Sequence, residues 1–169
     1  MIFLNPSYTI ETMPDEEKDI HFMKIALEEA QRAFDKGEVP VGAVLVHENT
    51  VISKAHNCRE TSKDPTGHAE ILTLRSGTSE NKRWRLTDTT LYVTKEPCIM
   101  CAGAMVIARL SRLVYGCKDE KGGAVDSLYR LLSDERLNHQ IEVKSGVLED
   151  KCQEILQRFF KLRRVSIKS

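Results

Sequence analysis

Residues 91–105 read LYVTKEPCIMCAGAM, and this stretch decides the class of fold. The apolar run at 91–93 predicts a buried strand. Pro97 then predicts the first turn of a helix that runs to about Arg109, since a proline at that position loses no hydrogen bond. Residues 113–115 are again apolar and predict a second strand. A strand, a helix and a strand in succession predict an α/β sheet with helices on its faces.

The rest of the chain continues this alternation. Further helices are predicted at 15–36, 68–75 and 149–164, and further strands at 41–46, 51–55 and 141–143. The strands at 41–46 and 51–55 predict a hairpin, and the polar segment 56–67 predicts a loop. The last helix has an apolar side that we expect to be buried, formed by Cys152, Ile155, Leu156, Phe159 and Phe160.

The size and composition of the chain predict one domain. It has 169 residues, of which 41% are hydrophobic, enough to bury a core without disulfides. We expect this domain over residues 14–169, after a loosely held extension at 1–13. The N-terminus has no basic region, and no apolar run approaches the ~20 residues of a membrane span. We therefore expect a cytoplasmic protein with no membrane partner.

Charge is balanced over the whole chain but uneven along it. Lys and Arg together number 25, as do Asp and Glu, so no net field draws the protein to a polyanion. After Glu154, however, the only charged residues are basic: Arg158, Lys161, Arg163, Arg164 and Lys168. A second basic cluster lies at 82–85. These clusters are either solvated surface or contacts for a phosphate backbone, and charge alone does not decide between the two.

Two short motifs carry the chemistry, His68-Ala69-Glu70 and Pro97-Cys98-Ile99-Met100-Cys101. Cys98 and Cys101 are three residues apart, so on a helix they share one face, and the helix dipole favours thiolates in its first turn. Zinc accepts sulfur and imidazole nitrogen, and His68 can supply a third ligand. Three protein ligands leave one tetrahedral position for water, which is typical of a catalytic zinc site.

Glu70 distinguishes this pattern from a structural zinc site. A hydrolytic site needs a group that takes the water proton and passes it to the leaving group. The order H-x-E…P-C-x-x-C, here with 26 residues between Glu70 and Pro97, resembles the signature of the zinc nucleobase deaminases.

Two other interpretations of the cysteines stay open. Cys98 and Cys101 could be a redox pair, or the zinc site could be structural and closed by Cys58, Cys117 or His56. Cys117 and Cys152 are expected to be buried fillers. We expect the remaining histidines, His21, His47 and His139, to lie on the surface or in packing contacts.

The chain resembles the cytidine deaminase-like superfamily, and within it the family of bacterial tRNA-specific adenosine deaminases. The matching segments lie at 37–46, 57, 64–71, 96–105, 137–139 and 159–164. The resemblance implies a three-layer α/β/α fold with a central five-stranded mixed sheet. It also implies a homodimer, and an adenosine at the wobble position of a tRNA anticodon as the substrate, converted to inosine. Lys95 and Ile107 depart from the family pattern.

The resemblance also implies roles for single residues. His68, Cys98 and Cys101 would hold one Zn²⁺ per chain, and Glu70 would shuttle the proton. Asn57, Ala69 and Val41 would contact the base or ribose, and the segment 119–124 would lie near the substrate. Contacts with the RNA would come from Asp119, Lys121, Phe160, Arg163 and Arg164. The alternatives are a free guanine or cytosine deaminase with the same zinc site, and a zinc- or RNA-binding module without catalysis.

Overall fold

A five-stranded mixed sheet lies at the centre of the molecule. The computed structural model describes residues 9–166, and its strands are β1 (Gly42–His47), β2 (Thr50–His56), β3 (Thr89–Lys95), β4 (Arg112–Cys117) and β5 (Glu142–Lys144). Their order across the sheet is β2-β1-β3-β4-β5. β1 pairs antiparallel with β2 and β3, whereas β3, β4 and β5 run parallel. The predicted hairpin and the predicted α/β sheet are confirmed.

Helices cover both faces of this sheet. They are α1 (Asp15–Asp35), the single turn α2 (Arg59–Ser62), α3 (Ala69–Asn81), α4 (Ile99–Ile107) and α5 (Glu149–Ser166). Because successive side chains of a strand point to opposite faces, β1 contributes to two cores. Val44 packs into the core under α1 and α5, and Leu45 packs into the core under α3 and α4. The fold therefore has three layers, α/β/α, as the resemblance implies.

The carboxyl ends of β3 and β4 create the place for a site. The connection from β3 through α4 to β4 is a parallel crossover, so both strands end at the same edge of the sheet. Crevices beyond the carboxyl ends of parallel strands are the usual ligand sites of α/β sheets. The residues directly after β3 are the start of the Pro97–Cys101 motif.

Three local predictions are wrong. Phe160 is 47% exposed, because it follows the buried Phe159 by one residue and therefore points about 100° away around the helix. The segment 56–67, predicted as a loop, contains the helical turn α2, because the carboxylate of Glu38 accepts hydrogen bonds from the backbone N–H groups of Glu60 and Thr61 in that turn. Pro97 precedes the helix: the carbonyl of Pro97 accepts a hydrogen bond from Ala124, which keeps the chain extended until Cys98 caps α4.

The predicted extension at 1–13 lies mostly outside the described residues, which begin at Thr9. Ile10–Thr12 forms one 3-10 turn, and Ile10 packs against the core under α1. No helix among residues 9–166 is long and apolar enough to cross a membrane.

Candidate active site

Two helix starts bring the three predicted metal ligands together. His68 is the N-cap of α3, Cys98 is the N-cap of α4, and Cys101 lies in the first turn of α4. Free backbone N–H groups at a helix start create a positive potential that favours anionic groups. The two motifs therefore meet because both chain segments enter their helices at the same edge of the sheet.

The three ligand atoms have the spacing of a zinc site. His68 Nδ1 lies 3.6 Å from Cys98 Sγ and 3.6 Å from Cys101 Sγ, and the two sulfur atoms are also 3.6 Å apart. With Zn–S near 2.3 Å and Zn–N near 2.0 Å, tetrahedral geometry separates such atoms by about 3.5–3.8 Å. The residues present thus fit a zinc ion. Among the described residues this is the one group with such a spacing, and neither Cys58 nor His56 joins it.

Electrostatics already favour a thiolate at this centre. The hydrogen bond that the two cysteine sulfurs share lowers the pKa of Cys98 to about 3 and raises the pKa of Cys101 well above its usual range. The hydrogen bond with Cys98 in turn raises the pKa of His68. One negative charge among the ligands suits a divalent cation.

Glu70 lies beside the ligands with an unused acceptor. The residue is 3% exposed, and burial raises the pKa of its carboxyl group. Within residues 9–166, Glu70 Oε2 is buried and has no hydrogen-bond partner. A buried acceptor without a partner is costly, so this oxygen is suited to receive a proton or hydrogen bond from a bound molecule.

A cavity of about 210 Å³ opens above these residues. Of the predicted site residues, it is lined by Val41, Asn57, His68, Glu70, Cys98, Asp119 and Phe160. Ala69 is fully buried at the start of α3. Lys121, Arg163 and Arg164 are exposed and do not line the cavity. Arg163 instead donates to the carbonyl of Gly37 and stacks on Phe159, and Arg164 donates to the carbonyl of Phe160.

Two buried acids support the cavity, and the motifs did not reveal their roles. Glu96 accepts hydrogen bonds from the backbone N–H groups of Asp119, Val125, Asp126 and Ser127 and from the Ser127 hydroxyl. Burial alone would raise the pKa of Glu96, but these bonds outweigh it and lower the pKa to about 2. Gly123 packs so closely on this carboxylate that a Cβ there would lie 2.3 Å from Glu96.

Glu38 is the second of these acids, and it holds the side chain of Asn57. Asn57 Nδ2 donates to Glu38 Oε2 at 3.2 Å, and both residues are buried. Glu38 belongs to the quoted segment 37–46, but sequence alone does not indicate which side chain it contacts.

The other cysteines and histidines lie elsewhere. Cys117 and Cys152 are buried in the core, as expected. His56 contacts Glu29, His21 packs edge-on against Phe22, and His139 contacts the carbonyl of Leu110.

A larger cavity, of about 370 Å³, lies at the opposite ends of β3 and β4. Its buried acid, Asp19, is already bound by Arg112, Lys144 and Tyr92. None of its lining residues belongs to the metal-ligand group found among the described residues, so the smaller cavity is the candidate active site.

The zinc-ligand geometry, the adjacent acid and the fold agree with one family. The profile of the MafB19-like deaminases matches residues 16–164. The chain belongs to this family. A tRNA-specific adenosine deaminase from Bacillus subtilis (strain 168) is 49% identical over 144 residues, which cover 85% of this chain and 89% of that protein. The predicted resemblance of this deaminase to the tRNA-specific enzymes is confirmed.

Solved structures point the same way. A structure from work on A-to-I editing by tRNA:A34 deaminases at the wobble position of transfer RNA has a TM-score of 0.78 and 46% identity. That alignment covers 80% of this deaminase and 99% of the solved chain. A guanine deaminase from Bacillus subtilis has a TM-score of 0.57 and 34% identity, with 63% of this chain and 66% of that one covered.

Proposed function

We propose that this deaminase hydrolyses adenosine to inosine at the wobble position of a tRNA anticodon. The observation that carries the proposal is the cluster of His68, Cys98 and Cys101 beside the unpaired carboxylate oxygen of Glu70. One relative, 49% identical, is a tRNA-specific adenosine deaminase, and a solved structure that is 46% identical comes from work on tRNA:A34 deaminases. These two relatives favour a tRNA substrate over a free base.

The proposed cofactor is one Zn²⁺ per chain, held by His68 Nδ1, Cys98 Sγ and Cys101 Sγ. When bound, zinc supplies the Lewis acidity that lowers the pKa of a water molecule to about 7 and makes hydroxide available at neutral pH. The donor set supports zinc over magnesium or calcium, because thiolates are poor ligands for those two ions.

Glu70 would carry the proton. Its unpaired Oε2 accepts a proton from the attacking water, and the oxygen of that water adds to carbon 6 of adenine. Glu70 gives this proton to the ring nitrogen next to carbon 6. It then takes the proton of the new hydroxyl on carbon 6 and passes it to the amine, so that the bond between carbon 6 and the amine nitrogen breaks and the C=O of inosine forms. One water is consumed and one ammonia is released, which balances the conversion of adenosine to inosine.

The walls of the cavity would orient the base. Asn57 can bond the base or ribose, Val41 can pack on the ring, and Ala69 can offer a backbone N–H at the start of α3. A base must leave its stack to enter a cavity of this kind. A base in an anticodon loop is already unpaired, so it pays only part of the few kcal/mol that flipping costs.

The mouth of the cavity would bind the RNA. Phe160 is half exposed at the mouth, where it can stack on a splayed base. Asp119 and Lys121 lie on the loop after β4, and Arg163 and Arg164 extend α5 beyond Phe160. The arginines can contact phosphates from this position, although both also bond to backbone carbonyls of the protein itself.

A homodimer is part of the proposal. Ile99 and Ile107 of α4 are 57% and 73% exposed, and an apolar groove lies between α3 and α4. Large exposed aliphatic side chains near an apolar groove are typical of a surface that is covered by a partner. We place the enzyme in the cytoplasm, where a tRNA substrate is available.

The test is to incubate the zinc-loaded protein with an anticodon stem–loop RNA that carries an ACG loop, and to measure inosine. We expect inosine at the wobble position and at no other adenosine. An RNA with guanosine at the wobble position and the Glu70→Ala variant are the controls, and free guanine and cytosine are tested in parallel. If a protein with about one zinc per chain forms no inosine but consumes guanine, the tRNA assignment is wrong and the zinc site stands.

A further inference from the structure

Glu38 is buried beside the cavity but is not part of the metal centre. It is 1% exposed, and its carboxylate accepts four hydrogen bonds. On Oε2 they come from Asn57 Nδ2 at 3.2 Å and from the backbone N–H of Glu60 at 3.2 Å. On Oε1 they come from the backbone N–H and the hydroxyl of Thr61, at 2.6 and 2.7 Å. Both oxygens of this carboxylate therefore accept two hydrogen bonds each.

This environment keeps Glu38 ionised. Burial alone would raise the pKa of Glu38, but the bonds from Thr61 and Glu60 outweigh it, and the pKa is lowered. An ionised carboxylate accepts hydrogen bonds and donates none. It therefore attracts the NH₂ end of the Asn57 amide and repels the carbonyl end.

The hydrogen bond from Asn57 to Glu38 allows the Asn57 amide only one of its two orientations. An asparagine amide has a donor end and an acceptor end of nearly the same shape, so a neutral pocket can hold it in either direction. The backbone N–H of Asn57 bonds to the carbonyl of Val41, which fixes the base of the side chain. With one Nδ2 hydrogen bound to Glu38, the carbonyl oxygen and the second Nδ2 hydrogen are left for the cavity that Asn57 lines.

We propose that Glu38 is a positioning residue: it holds the Asn57 amide in one direction, so that the cavity offers the substrate one fixed pattern of donor and acceptor. The inference rests on the proposed function, in which Asn57 contacts the base or ribose. Glu38 itself does not line the cavity, so it acts through Asn57.

Glu38→Gln tests whether Glu38 fixes the direction of the Asn57 amide, which we call the lock. Glutamine has nearly the same shape as glutamate but can face Asn57 with either end of its amide. We compare the zinc-loaded wild type, Glu38→Gln, Asn57→Ala and the double variant on the same stem–loop RNA. Glu38→Gln is expected to lower kcat/KM about tenfold in the wild type, and less than twofold when Asn57 is already alanine. Zinc content is measured for each protein and is expected to stay near one per chain.

A structural role predicts a different result. Glu38 also accepts the N–H groups of Glu60 and Thr61 in α2, so it could act only by holding this turn. In that case Glu38→Gln would lower kcat/KM by the same factor in both backgrounds, and the proposal is wrong. Thr61→Val is the matched control, because it removes one bond to Glu38 and leaves the bond to Asn57. We expect it to change kcat/KM less than twofold.

A second measurement depends neither on catalysis nor on the variant Glu38→Gln. In the ¹⁵N–¹H spectrum of the wild type, assigned with Asn57→Ala, one side-chain amide proton of Asn57 should exchange slowly with solvent. Fast exchange of both protons would overturn the lock even if Glu38→Gln fails to fold. If the wild type forms no inosine, slow exchange would uphold the lock while the proposed function fails, so the two failures are distinguishable.

Discussion

The floor and the rim of the cavity are built in different ways. We call the ligand group and its adjacent acid the floor: His68, Glu70, Cys98 and Cys101, of which all but Cys101 line the cavity. We call four further lining residues the rim: Arg59, Lys95, Asp119 and Phe160. Floor residues lie at two helix starts, where the backbone itself fixes their positions. Rim residues come from four separate segments, and an ion pair of 2.7 Å joins Lys95 to Asp119. Under the proposed function, we expect the floor to govern the chemistry and the rim to govern how tightly the substrate binds.

The largest effect of any variant that keeps its zinc should come from the acid of the floor. Glu70→Ala removes the group that would move the proton, so kcat is expected to fall by about 10⁴, at the upper end for a general acid–base residue. Zinc content and the thermal midpoint should stay close to wild type, because the metal ligands are intact. The measurement is inosine formation under single-turnover conditions, with Glu80→Ala, an exposed acid on the same helix, as the control. Retained activity would remove Glu70 from this role.

A buried cysteine of the floor should differ from a buried cysteine of the core. Cys101 and Cys152 are both fully buried, but only Cys101 lies in the ligand cluster. Cys101→Ala is expected to lose nearly all bound zinc and all measurable activity, whereas Cys152→Ala should keep about one zinc per chain. Elemental analysis of the purified variants measures this. Equal zinc content in the two variants would contradict the assigned ligand set.

Glu96 connects the two regions. It directly precedes the Pro97–Cys101 motif, which carries two floor residues, and it accepts hydrogen bonds from the loop after β4, which carries Asp119 of the rim. Glu96→Gln replaces an acceptor of five hydrogen bonds by an amide that turns an NH₂ group toward some of those donors. We expect a loss of about 2–4 kcal/mol in the free energy of unfolding. Denaturant titration measures it, with the exposed Glu154→Gln as the control. A loss below about 0.5 kcal/mol would mean that the loop is held by other contacts.

Sequence reasoning was most successful where backbone geometry sets the result. A residue at the N-cap and another three residues later lie close together, so the spacing of Cys98 and Cys101 was sufficient to predict that their sulfur atoms are neighbours. The alternation of strands and helices predicted the sheet for the same reason.

It failed where contacts join distant parts of the chain. Glu38 meets Asn57 across 19 residues, and Glu96 meets Ser127 across 31, and no periodicity or spacing encodes either pair. Helix periodicity grouped Phe160 with the buried side of α5, whereas the resemblance gave it a contact with RNA; Phe160 is exposed because consecutive residues of a helix point about 100° apart. Lys95 was noted only as a departure from a family pattern, whereas the structure gives it a partner, Asp119.

The ion pair between Lys95 and Asp119 gives the smallest expected effect. It is also the most direct test of the difference between floor and rim. Lys95 is 29% exposed and Asp119 is 19% exposed, so the lysine neutralises a carboxylate at the mouth of a cavity that would receive a polyanion. Lys95→Met leaves this carboxylate unpaired, and its repulsion of RNA phosphates should raise KM about fivefold at low salt while kcat stays within twofold. Lys151→Met removes an exposed lysine of α5 and controls for the net charge.

Adding Asp119→Asn to Lys95→Met separates neutralisation from direct contact. If the lysine acts by neutralising Asp119, Lys95→Met should raise KM far less when residue 119 is already asparagine. The same rise in both backgrounds would mean that Lys95 contacts the RNA itself, and a loss of kcat would mean that the rim shapes the chemistry as well. Raising the salt concentration should shrink the effect of Lys95→Met, because the repulsion at the mouth is screened over about 10 Å at 0.1 M salt. No change of salt should restore the activity of Glu70→Ala, since screening by salt does not replace a group that carries a proton.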